Sequence, residues 1–190
     1  MISLEQGMTV YHGSYVEVVN PDLNKCADYK DFGRGFYLTT SKSQAISFAR
    51  ISTAKAKATG KVPKDQNYGV VSAFSVKGDI SKLLQLVFDS ADRDWLHCIV
   101  GHRKKGTFDG IVSELKKMDL IAGKIANDST NATITAYMTN TFGEIGSEGA
   151  DRICIELLLP NRLENQFCFR SGKALKCLEF AGSEKVWMKE

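Results

Sequence analysis

The sequence predicts a single α+β domain, and three observations carry that expectation. Its segments run strand, strand, helix, strand, several helices and then a late strand, without the strict alternation of a doubly wound fold. At 190 residues, with 43% hydrophobic and 25% charged side chains, residues 1–190 suffice for one sizeable core. The glycines of Gly33-Arg34-Gly35 precede a strand instead of joining a strand to a helix, so they are not a Rossmann dinucleotide fingerprint.

The elements follow in order. "MTVYHGS" alternates around Val10 and Tyr11 and ends at Gly13, a first strand. Asn20-Pro21 marks a turn region. "GFYLTT" is a second short strand. Ser41 or Ser43 caps a helix that runs to about Gly60, with Ala45, Phe48, Ala49 and Ser52 on one face. "VVSAFSV", residues 70–76, is the best strand in the chain. "DISKLLQLVF" and "ADRDWLHCIVGHRKK" read as helices, the second with Trp95, Leu96, Ile99 and Val100 on a common face. "FDGIVSEL" reads as a strand. A cap at Asp128 or Ser129 opens a helix with Ile134, Tyr137 and Met138 on its apolar side, and "ADRICIELLLP" is a helix stopped by Pro160. "NQFCFRS" alternates Phe167 and Phe169 as a strand, and "GKALKCLEF" is a short helix leading into a terminal strand.

Composition excludes several classes. A net charge of +3 is too small to predict a nucleic-acid binder, although it permits an anionic ligand. Cys26, Cys98, Cys154, Cys168 and Cys177 are odd in number and form no C-x-x-C pair, so neither a disulfide framework nor a zinc site is expected. His97 and His102 flank Cys98 at no metal-ligand spacing, and "HRKK" reads as a solvated helix end. No metal is expected. The N-terminus lacks a signal pattern and no apolar run reaches the ~20 residues of a membrane span. The expectation is a cytoplasmic protein with reduced, mostly buried thiols.

Three strand-like segments hold chemistry: "YHGS" (11–14), "GFYLTT" (35–40) and "NQFCFRS" (165–171). His12 precedes Gly13, whose missing side chain would let a ligand lie against the backbone. Tyr37 has a face suited to stacking, and Gln166 both donates and accepts hydrogen bonds. Taken singly, each also reads as a structural residue: a satisfied histidine, a core tyrosine, a surface amide.

In this order the segments resemble the ADP-ribosyltransferase superfamily of the His-Tyr-Glu type, and more closely a bacterial branch first catalogued as a domain of unknown function. "YHGS", "DFGRGFYLTT", "IAGKIANDS" and "NQFCFRSGKALKCLEF" carry the resemblance from residue 11 to about residue 180. It implies an α+β split β-sandwich of two antiparallel sheets with flanking helices, and NAD as substrate in a cleft between the sheets. By the resemblance His12 holds a ribose hydroxyl, the Gly13 backbone meets the nicotinamide carboxamide, and Tyr37 stacks on the nicotinamide. Gln166 falls where the family's catalytic glutamate sits. Tyr11, Gly35 and Thr39 join the NAD-binding set. Arg34 is either a pyrophosphate ligand, through its guanidinium fork, or a surface cation paired with Asp31. Asn127 and Asp128 either cap a helix or line the acceptor side of the cleft.

Glutamine in place of glutamate departs from the pattern. An amide can hold a hydroxyl but brings no charge to an oxocarbenium-like cation and cannot act as a base. Polymer elongation is therefore not expected, and Glu164, two residues earlier, is a candidate acidic partner if the strand alternates through Asn165. The expected activity is NAD-dependent mono-ADP-ribosyl transfer to a macromolecular acceptor, protein or nucleic acid. Relatives of the branch look like toxins of toxin–antitoxin or phage-defence loci, which implies a small antitoxin partner. The alternatives are a non-catalytic NAD- or ADP-ribose-binding module and an NAD glycohydrolase.

Overall fold

The computed structural model describes residues 3–126, 128–159 and 163–188. β1 (Thr9–Ser14), β3 (Tyr68–Val76) and β7 (Leu178–Trp187) form an antiparallel sheet in the order β1-β3-β7. The second sheet has the order β2-β6-β5-β4, from β2 (Phe36–Leu38), β6 (Asn165–Phe169), β5 (Leu120–Lys124) and β4 (Gln85–Val87). It is not wholly antiparallel, as the resemblance implies, because its edge strand β4 runs parallel to β5. The described helices are α1 (Lys42–Ala58), α2 (Arg93–Arg103), α3 (Asp109–Leu115), α4 (Asp128–Met138), α5 (Glu148–Leu158) and α6 (Gly172–Leu175).

Side-chain alternation sorts the strands' residues into layers. Phe36, Leu38, Leu120, Ala122, Phe167 and Phe169 from the second sheet meet Val10, Phe74 and Val76 from the first, filling the space between the sheets. The intervening residues Ile121 and Cys168 turn the other way, into a second core with Trp95, Ile99, Tyr137 and Cys154 of the α2, α4 and α5 layer. Tyr37 packs against this helical core as well. Trp95 is fully buried, and its indole N–H donates to Lys124 O at 3.0 Å.

The outer face of the first sheet carries α1. Ser41 caps it by accepting from Gln44 N. The buried stripe is Ala45, Ala49, Thr53 and Ala56, small enough for the helix backbone to touch the sheet. A Cβ on Gly13 would lie 2.0 Å from Ala45 O, and one on Gly69 2.6 Å from Ala49 O. The expected face containing Phe48 and Ser52 is thus corrected: those two border the cavity described below. The glycine–alanine contact rotates the helix by favouring its smallest face.

Two other expectations are overturned. "DISKLLQLVF" is a 3₁₀ turn at Ile80–Lys82 followed by β4, because the open edge of β5 recruits Gln85–Val87 over the helix propensity of leucine. "FDGIVSEL" is α3, with Phe108 at φ 54° before it. Ile111 and Leu115 fall one helical turn apart there, and the Ile-Val pair alone had suggested a strand. β5, central in its sheet, was not foreseen as a strand. The helix expected to stop at Pro160 ends at Leu158, with Leu159 at φ 48° as its C-cap; Pro160 itself lies outside the described residues.

Candidate functional site

β1 and β2 are the edges at which the sheets meet, and they touch at one bridge. Tyr11 N–H donates to Thr39 O at 2.8 Å and Thr39 N–H to Tyr11 O at 3.0 Å. One residue on, the strands part around a side chain. The His12 ring enters the gap, donates from Nδ1 to Tyr37 O at 2.8 Å and lies 4.5 Å from the Phe36 ring. On the other edge of β1, Val76 N–H donates to Met8 O at 2.9 Å. Antiparallel alternation then turns the main-chain groups of Val10 and His12 toward β3, and those of Tyr11 and Gly13 toward β2. Tyr11's groups are used by Thr39, so the N–H and C=O of Gly13 face the opening. A cavity of about 840 Å³ occupies it, bordered by Tyr11, His12, Gly13, Tyr37, Thr39 and Gln166 among others.

Gly13 therefore does its work differently from the expectation. Its missing side chain makes room for α1, and only its main chain is left for a ligand.

The turn before β2 is built to hold Tyr37. The phenol donates to Gly33 O at 2.8 Å and accepts from Phe32 N at 2.9 Å. Burial, and then the neighbouring Cys168 and Asp31, push its pKa well above the ordinary value, so the proton stays. Gly33 sits at φ +76°, a conformation that favours glycine. A Cβ on Gly35 would come 2.4 Å from Cys168 Sγ, so the second glycine lets β2 close on β6. Both glycines fix a ring, not a phosphate.

Arg34, between them, is not among the cavity's bordering residues. Its guanidinium grips Asp28 through two bonds of 3.0 Å, with both side chains about half exposed. The pyrophosphate reading loses its geometry, and the surface partner is Asp28, not Asp31. Exposed pairs of this kind contribute at most about 1 kcal/mol. Were NAD the ligand, as the resemblance implies, Arg34→Ala would leave its affinity within about threefold by calorimetry; a tenfold loss would return Arg34 to the site.

Asp31 is instead buried beside Gln166 and borders the cavity with it. Oδ1 accepts from Arg103 Nε at 3.0 Å and Nη2 at 2.5 Å, and Oδ2 accepts from Gln166 Nε2 at 2.7 Å and from Ala126 N at 3.3 Å. Gln166, itself 5% exposed, also donates Nε2 to Lys124 O at 3.2 Å. Two acceptors around Nε2 fix which end of the amide is which, and Oε1 is the group left for a molecule in the cavity. Glu164 is exposed, precedes β6 and does not border the cavity. The acid beside Gln166 is Asp31, 135 residues away in sequence.

Burial lowers the pKa of His12, against the opposing hydrogen bond to Tyr37 O. The ring is neutral at pH 7 with its proton on Nδ1, and Nε2 carries the lone pair. His102 behaves alike: burial lowers it, and Nδ1 donates to Cys98 O at 2.8 Å. Both histidines charge more easily in the unfolded chain. The stability they contribute is therefore present above the ordinary histidine pKa of about 6.5 and lost as pH falls below it. A melting temperature that drops between about pH 7 and 5, less steeply in His12→Gln, is the expected result.

Tyr11 and Thr39 prove to be joints. Thr39 Oγ1 donates to Asn165 O at 2.9 Å and accepts from Ser41 N at 3.1 Å, tying β2 to β6 and α1. Asn127 lies outside the described residues, as does the side chain of Asp128, so neither the cap nor the cleft reading of that pair is decided. The expected solvated end at "HRKK" and the Asp31–Arg34 pair are both corrected: His102 is buried and Arg103 forms its ion pair with Asp31 in the interior. His97 belongs to a structural network, donating from Nε2 to Asp151 Oδ2 at 2.9 Å, which also accepts from Arg93 Nε at 2.7 Å. All five cysteines are unpaired thiols, four of them buried. Among the described residues no group of three or more His, Cys, Asp or Glu side chains could hold a metal, and no helix is long and apolar enough to cross a membrane.

The molecule is thus an α+β protein whose two sheets part at one seam, with a histidine, a tyrosine and a buried amide bordering the cavity there. The chain belongs to the family described as "Protein of unknown function (DUF3990)", which matches residues 8–180 and so takes in the whole cleft. No curated protein matches it.

Proposed function

We propose that the protein is an NAD-dependent mono-ADP-ribosyltransferase whose split sandwich is of the ADP-ribosyltransferase type. The observation that carries the reading is the seam itself. His12, the Gly13 main chain, Tyr37 and Gln166, drawn from three strands, border one cavity at the point where β1 and β2 separate. NAD's nicotinamide would meet the Gly13 N–H and C=O and lie on the pinned Tyr37 ring. The neutral His12 would accept a ribose hydroxyl at Nε2, and Gln166 Oε1 another. With Arg34 on the surface, the pyrophosphate's charge is complemented by Lys25, Lys30 and Lys55, which border the same cavity.

In the reaction the bond between ribose C1′ and the nicotinamide nitrogen breaks, and its electron pair leaves with nicotinamide. The ribose cation is captured by a nucleophile of the acceptor, which releases a proton. An amide at position 166 supports transfer of a single unit or hydrolysis over chain elongation, because no base is present there to activate a second ribose. The role that fits is a bacterial toxin of a toxin–antitoxin or phage-defence system, acting in the cytoplasm on a macromolecular acceptor and held in check by a small antitoxin.

Release of nicotinamide from NAD by the purified protein tests the reading. In a bacterial host, expression should arrest growth, and His12→Ala should restore it, provided a thermal melt shows the variant folded. Equal arrest by a folded His12→Ala protein would overturn the assignment. The absence of a carboxylate at position 166 favours a second reading, a binding module for NAD or ADP-ribose. NAD-dependent thermal stabilisation without nicotinamide release would select it.

A further inference from the structure

We infer that Asp31 is a positioning residue for the proposed transfer, holding Gln166 and supplying beside it the negative charge that the amide lacks; this rests on the NAD-cleaving reading of the cleft. The bond from Gln166 Nε2 to Asp31 Oδ2, at 2.7 Å, is charge-assisted. It fixes the amide plane and polarises it, so that Oε1 is a better acceptor toward the ribose hydroxyl and the cation that forms beside it. Arg103 keeps Asp31 in place through two bonds from α2, and is itself tied to Ala126 O at 3.1 Å and Asn131 Oδ1 at 3.2 Å. Asp31 is 8% exposed, and donors occupy both of its carboxylate oxygens. Asp31 borders the cavity beside Gln166, so its charge acts there both directly and through the amide that it holds.

This arrangement makes Gln166→Glu damaging, although it recreates the residue that the resembled family carries. The introduced carboxylate would replace an N–H donor at 2.7 Å from Asp31 and face the Lys124 carbonyl as well. Two carboxylates at that separation share one proton. Folding would raise the new acid's pKa above its unfolded value of about 4.3, so the variant would lose stability as pH rises from about 5 to about 8. The groups facing the pair are Arg103, His102 and Cys98 on α2, Tyr37 on β2, Cys168 on β6 and Lys124 on β5, whose Nζ is directed to Leu163 O. Of these, Arg103 forms the ion pair with Asp31, and it is already part of the wild-type balance. Exchanging both residues, Asp31→Asn with Gln166→Glu, restores one donor and one carboxylate in reversed order.

Wild type, Asp31→Asn, Gln166→Glu and the double exchange should be compared by melting temperature against pH and by nicotinamide release from NAD. Asp31→Asn is expected to lower kcat about tenfold, the scale of one charge-assisted bond, with KM changed less than about threefold. Gln166→Glu should show the pH-dependent loss of stability and low activity at about pH 8. The double exchange should abolish that pH dependence and release nicotinamide faster than either single variant. A double exchange that melts and reacts like Gln166→Glu overturns the coupling. If the melts behave as expected while wild type releases no nicotinamide, the transferase reading fails, and Asp31 with it as a positioning residue.

Discussion

Gln166→Ala is expected, on the proposed transferase reading, to slow nicotinamide release by about 10²–10³-fold, the usual cost of removing one preorganised polar contact to a transition state. NAD binding should weaken far less, because the lost acceptor matters most when positive charge develops on the ribose. The truncation also leaves Asp31 Oδ2 with Ala126 N as its remaining partner, at 3.3 Å, and some loss of stability follows from that buried carboxylate. Single-turnover release at saturating NAD, beside a thermal melt, separates the two effects. A stable variant with wild-type turnover would remove Gln166 from the site.

Gly13→Ala should damage the fold more than any substitution lining the cleft. The added methyl would stand 2.0 Å from Ala45 O and 2.7 Å from Ala49 N, both backbone atoms of α1. A side chain can step aside; a helix backbone packed on a sheet moves only as a body. The expected cost is about 3 kcal/mol or more, roughly 6–12 °C in melting temperature for a chain of this size. Gly149→Ala is the control. It lies within α5 with nothing within 4 Å of its Cβ position, and alanine there should stabilise by about 0.5–1 kcal/mol. Equal melting of the two variants would contradict the packing of α1 on β1.

Much of the local structure was legible. β1, β2, β3 and β6 follow from short alternating runs of β-branched and aromatic residues. α1 follows from helical spacing behind a Ser41 cap, and α2 from the common face of Trp95, Leu96, Ile99 and Val100, to which the structure adds an Asp92 cap that accepts from Trp95 N at 3.0 Å. Where local signals misled, pairing or packing had overruled them: β4 is a strand because β5 offers an edge, and α3 is a helix although Ile111-Val112 favours a strand. His12, Tyr37 and Gln166, singled out by the order of their segments, all border the same cavity.

What the sequence by itself determined is which short runs become strands, and that a histidine, a tyrosine and a glutamine stand on three of them. The tertiary structure decided which charges belong with them. Arg34 and Arg103 are equivalent as letters, yet one meets Asp28 six residues away on the surface and the other meets Asp31 across 72 residues in the interior. Local charge patterns carry no information about which cation will be drawn inward. That choice is made when α2 packs on the second sheet, because a buried carboxylate must find its donors wherever the topology has brought them.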